Sequence, residues 1–188
     1  MSLFALCLRL ALAGVFGASA LGKVRTLRSF ADALRGFAPV SVPRWAARTL
    51  AVLLAVVEFC VAVGLLVPRT ARPALVATEV LLGVFILVIV RASRSRVQAT
   101  CACFGSDGRR PLGALHLWRD LALAAAGVVP LVQSPATGSF ARFAFACLPA
   151  VVVTVLVVRL EDLAALFDAP DPAAPGAPRG ASYLEPRT

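Results

Sequence analysis

The chain has 188 residues, 60% of them hydrophobic, and a mean hydropathy of +0.86. That share exceeds the ~45–50% of a soluble globular domain and places the chain among membrane proteins, with the lipid bilayer as its first partner. Nineteen basic residues against ten acidic ones leave a formal charge of +9. Arginines at the ends of membrane spans account for that excess, and no aromatic–basic interleaving of a nucleic-acid platform occurs, so no nucleic-acid partner is expected.

The first predicted span runs from Leu3 to Gly22, about the ~20 residues that a crossing needs. It has no basic start, carries Arg9 within the apolar run and ends at Lys23 and Arg25, so it reads as a retained helix and not a cleaved leader. Gly14, Gly17, Ala18 and Ala20 give it a small-residue face for close packing. Residues 23–44 read as a polar connection in which Phe30, Leu34 and Phe37 recur at near-helical spacing, as in a short interfacial amphipathic helix that Pro39 would end. The second and third spans cover 45–67 and 71–90. Only Pro68-Arg69-Thr70 separates them, so they form an antiparallel hairpin. Residues 91–113 are a basic loop holding Cys101 and Cys103. The fourth and fifth spans cover 114–132 and 140–158, parted by Ser134-Pro135-Ala136-Thr137-Gly138. The expectation is an all-α helical membrane bundle of five spans over 1–165, a four-helix core plus one. A Pro/Ala-rich tail over 166–188 should be disordered.

Five spans put the termini on opposite faces. Twelve basic residues (Lys23, Arg25, Arg28, Arg35, Arg44, Arg48, Arg91, Arg94, Arg96, Arg109, Arg110 and Arg159) fall on the face away from the N-terminus. Only Arg69, Arg72 and Arg142 fall on the other. The excess predicts a multi-pass protein of the cell membrane with its N-terminus outside and with the cysteine loop and C-terminus cytoplasmic.

Ionisable groups inside spans are costly and demand partners. Glu58 and Glu79 lie at matching depth on the hairpin, roughly 12–14 Å in, and Arg9 roughly 9 Å in from the same side. Pairing of Arg9 with Glu58, Glu79 or both is therefore expected, either as a structural lock or as a proton-relaying cluster. Lys23, Arg119 and Asp120 lie near the opposite boundary, beside the cysteine loop. Adjacent positions on a helix point about 100° apart, so Arg119 and Asp120 are not expected to pair with each other.

The five cysteines do not read as a secreted disulfide framework. Cys7, Cys60 and Cys147 sit in apolar runs, where cysteine behaves as a small hydrophobe. Cys101-Ala102-Cys103-Phe104-Gly105 is different. Five arginines flank the pair, and nearby cations favour the nucleophilic thiolate. A disulfide across one intervening residue closes a small strained ring that exchanges readily. The competing readings are metal binding and plain packing. Cys101, Cys103 and His116 offer at most three ligands where a closed zinc site takes four, so no metal is expected, although Cu(I) tolerates two thiolates.

Several features together resemble the MauE-type methylamine-utilisation membrane proteins, relatives of the DoxX-like family. They are Ser19-x-x-x-Lys23 closing the first span, Glu58 in the second, the Cys101-Ala102-Cys103-Phe104-Gly105 loop, and Trp118-Arg119-Asp120 opening the next span. The likeness covers residues 3–160. It departs at Ala102, where the family more often has Gly, and at Asp120, where it more often has Asn. The resemblance implies a multi-span bundle working with a thioredoxin-like redox protein in maturation of an exported, disulfide-rich amine dehydrogenase. Cys101 and Cys103 would then be catalytic, with Phe104, Gly105, Lys23, Glu58, Trp118, Arg119 and Asp120 in support. That role points outside the cytoplasm, whereas the charge count places the pair inside. A non-enzymatic membrane scaffold and a quinone- or proton-linked carrier built on Glu58 and Glu79 are the alternatives. No cofactor is required by the first two, and a quinone would be the cofactor of the third.

Overall fold

The computed structural model describes residues 2–37, 42–94, 114–133, 140–160 and 163. All described secondary structure is helical: α1 (Leu3–Arg25), α2 (Leu27–Phe37), α3 (Arg44–Leu66), α4 (Ala71–Arg94), α5 (Ala114–Val132) and α6 (Phe140–Val158). Five of them, all but α2, are long and apolar enough to cross a membrane. The described residues up to Val158 form one unit and those from Arg159 belong to a second, in which the Leu163 N–H donates to the Arg159 carbonyl at 2.9 Å. The expected disordered tail lies outside the described residues.

Helix α1 is the axis of the bundle. Ser2 caps it by accepting from the Ala5 N–H at 3.2 Å, and the Ser2 N–H donates to Gln133 Oε1 at the end of α5 at 2.8 Å. Its apolar residues are buried on several sides: Leu12, Val15 and Phe16 join Val61 and Leu65 of α3, Leu75 and Leu82 of α4, and Leu123 of α5 in one core. Leu10 and Ala11 join Ala146 and Ala150 of α6 in another. The predicted small-residue face is used. A side chain at Gly14 would run into Thr154 of α6, whose hydroxyl lies 3.2 Å from the Ala11 carbonyl and 2.8 Å from that of Ala150.

At Thr26 the chain bends. Its N–H still donates to the Gly22 carbonyl at 3.0 Å and its hydroxyl to the same carbonyl at 2.9 Å, but its backbone leaves helical geometry (φ −114°, ψ 32°), and this ends α1. Helix α2 follows at once, as the spacing of Phe30 and Leu34 predicted. Its apolar face does not stay free. Phe30 and Ala31 are buried with Ala47 and Ala51 of α3, and Arg35 Nε donates to the Val42 carbonyl at 3.1 Å. The α3–α4 turn is tight, as read: Thr70 Oγ1 donates to the Gly64 carbonyl at 2.9 Å, and Gly64 lets α4 approach so closely that an added Cβ would lie 3.0 Å from that of Ala74.

Candidate functional site

Apart from Arg9, the fully buried charges of the described residues gather at the end of α1 that leads into α2. Lys23 is 1% exposed and Glu58 0%. The Lys23 ammonium lies 2.7 Å from Glu58 Oε1 and 2.9 Å from Oε2, and donates to Ser19 Oγ at 2.6 Å. A lysine carries three donors, so all three are used. The side chain leans back along its own helix toward Ser19, one turn earlier, which takes the charge inward from the helix end. Phe30 of α2 and Phe85 of α4 present their rings to it at 5.4 and 5.6 Å from the ring centres. Such cation–aromatic contacts contribute where water is absent.

Helix α5 adds further polar groups near the cluster. His116 and Asp120 are buried, and Arg119 and Asp120 are close enough to act electrostatically on the Lys23 charge. Arg119 Nε donates to Asp120 Oδ1 at 3.0 Å. The expectation that these neighbours would not pair is thus corrected: their Cα–Cβ directions diverge, but the arginine stem is long enough to fold back. Trp118 points the other way and is 69% exposed, the place of an interfacial aromatic residue.

The predicted cluster of Arg9, Glu58 and Glu79 is also corrected. Glu58 pairs with Lys23, and no ion pair joins Arg9 to Glu58 or Glu79 among the described residues. Matching depth along the spans does not decide which helix faces meet. Arg9 Nε and Glu79 Oε1 are instead buried without a hydrogen-bond partner, the latter against Gly127 of α5. Lys23, read as the start of a polar connection, is the most deeply buried cation of the described chain. Its signal in the sequence was Ser19 one helical turn before it; Phe30 and Phe85 carried none, being ordinary apolar positions. Cys101, Cys103, Phe104 and Gly105 lie outside the described residues. The segment that holds them joins the end of α4, at Arg94, to the start of α5, at Ala114.

The family model of methylamine utilisation protein MauE matches residues 1–133. The chain belongs to the MauE family. The methylamine utilization protein MauE of Paracoccus denitrificans is 38% identical over 130 residues, 69% of this chain and 69% of that one. Those of Paracoccus versutus and Methylorubrum extorquens are 35% identical over 140 residues and 33% over 130. These alignments cover 71% and 67% of this chain, and 74% and 69% of the relatives. No solved structure matches. The MauE match takes in α1 to α5 with the Lys23–Glu58 pair and the cysteine segment, while α6 lies beyond it.

Proposed function

We propose that this MauE-family chain serves methylamine utilisation as a membrane thiol–disulfide redox protein, with Cys101 and Cys103 as one redox unit and a thioredoxin-like protein as its partner. The observation that carries the reading is the buried knot of Ser19, Lys23 and Glu58 with Asp120 and Arg119 beside it. Lys23 faces the ring of Phe85 on α4 and lies in the electrostatic reach of Arg119 and Asp120 in the opening turns of α5, the two helices that flank the cysteine segment in the chain. A redox pair needs such a fixed base if a soluble partner is to dock against it in one geometry. The arginines of the segment favour thiolate, the attacking form.

The exchange balances within the two proteins. One cysteine thiolate attacks the partner's disulfide, forming a mixed disulfide and releasing a partner thiolate. The second cysteine attacks the first, closing the Cys101–Cys103 bond and freeing the partner with both its sulfurs reduced. Two electrons pass to the partner, and the reverse sequence returns them. The end product would be the maturation of an exported, amine dehydrogenase-like protein.

Single Cys101→Ser and Cys103→Ser variants should each abolish that maturation, and one should accumulate the mixed disulfide on a non-reducing gel. Cys7→Ser, Cys60→Ser and Cys147→Ser should be tolerated: Cys7 and Cys147 pack in the α1–α6 contact, and Cys60 is exposed on a span. Full maturation in the Cys101→Ser/Cys103→Ser double variant would replace this reading with a scaffold.

A further inference from the structure

We propose that the end of the bundle formed by α2 and the first turns of α3 binds the headgroups of anionic phospholipids through Arg25, Arg28, Arg44 and Arg48. All four side chains are exposed, and none pairs with an acidic group among the described residues. They stand on adjoining elements. Leu27, Phe30, Ala31 and Leu34 of α2 are spent on Ala47, Ala51 and Leu54 of α3, so the hydrophobic side of α2 is already covered and its polar side is what remains to meet the surroundings.

The identity of the ligand follows from what lies beside the charges. Leu21, Val24, Trp45 and Leu50 are all more than half exposed at this same end. Apolar side chains on a membrane span are covered by acyl chains, and a tryptophan at a span's end sits at headgroup depth. A guanidinium next to them meets lipid phosphate, for which its planar fork is suited. A soluble anion would satisfy the charges but leave the apolar residues uncovered; an anionic lipid does both.

The test uses the full chain in a neutral detergent, with phosphatidylglycerol or phosphatidylcholine of identical acyl chains added in equal amounts and retention read by native mass spectrometry. Phosphatidylglycerol should be retained over phosphatidylcholine by about tenfold. Arg25→Gln/Arg28→Gln/Arg44→Gln/Arg48→Gln should abolish the preference, while Arg69→Gln/Arg72→Gln in the α3–α4 turn and the first turn of α4 should leave it intact. Should the quadruple variant lose helicity, the pairs Arg25→Gln/Arg28→Gln and Arg44→Gln/Arg48→Gln are read separately, and each must lower the preference. Equal retention of the two lipids, or a preference unchanged in the charge-neutral variants, overturns the proposal. Excess sn-glycerol 3-phosphate should not release the lipid; release at comparable concentration would assign the site to soluble anions instead.

Discussion

Lys23 and Glu58 show what a charge inside a membrane bundle requires. Each was expected to be costly, and each is affordable only because the other is there: the ammonium spends every donor, and both carboxylate oxygens accept. Removing one partner leaves the other buried and uncompensated. Lys23→Ala or Glu58→Ala should therefore lower stability by about 3–5 kcal/mol, read as a fall in the thermal unfolding midpoint in detergent. Replacing both by methionine removes the charges together and should restore most of that loss. If the double variant is no more stable than the single ones, the pair does more than balance its own charge. Arg9 and Glu79 have no such closure, and their buried Nε and Oε1 atoms are the unsatisfied polar groups of the described core.

At the scale of elements, contact is decided by what one helix leaves out as much as by what the next puts in. Gly14 gives up a side chain so that Thr154 can reach the backbone of α1. A methyl there meets the branched end of a threonine whose own Cβ is only 3.2 Å away, so a rotamer change cannot clear it. Gly14→Ala should cost about 1–3 kcal/mol by overpacking, and Thr154→Ala in the same chain should recover much of it. Equal stabilities of Gly14→Ala and the parent would mean that α6 does not hold this position against α1. The α2–α3 contact rests on Phe30, which fills the space over Ala47 and Ala51 and also faces the Lys23 charge. Phe30→Ala should destabilise by about 3–5 kcal/mol. Phe30→Leu, which keeps the bulk but not the ring, should cost less; equal losses would show that the ring face, not the packing, matters.

For the whole molecule, an alternating path through five spans has a consequence that does not depend on any side chain. With α5 and α6 both crossing, as their length and apolar composition allow, the cysteine segment and the C-terminus are predicted to lie on the same side. The α3–α4 turn must lie on the other. The arginine excess predicts that the first side is the cytoplasm. Reporter fusions after Arg110 and at the C-terminus should agree with each other and report cytoplasm, and a fusion at Pro68 should report the opposite side. Disagreement between the first two would remove a span from the bundle; agreement on an external location would overturn the charge argument alone.

Much of this was legible in the residues. Runs of about twenty apolar residues demand helices, because a backbone in lipid has no other donor or acceptor than its own. Pro68-Arg69-Thr70 allows only a hairpin, and the spacing of Phe30 and Leu34 marked α2 as amphipathic. What no run or period contains is which face of one helix meets which face of another. Depth along the membrane suggested Arg9 for Glu58; the rotation of α1 and the backward lean of a lysine side chain decided on Lys23. Angular offset argued Arg119 and Asp120 apart; a flexible stem brought them together. Local sequence sets where a helix starts and how deep each residue lies. Pairing between charges is decided by helix rotation and side-chain reach, and these are settled only when the apolar faces of all the helices have packed at once.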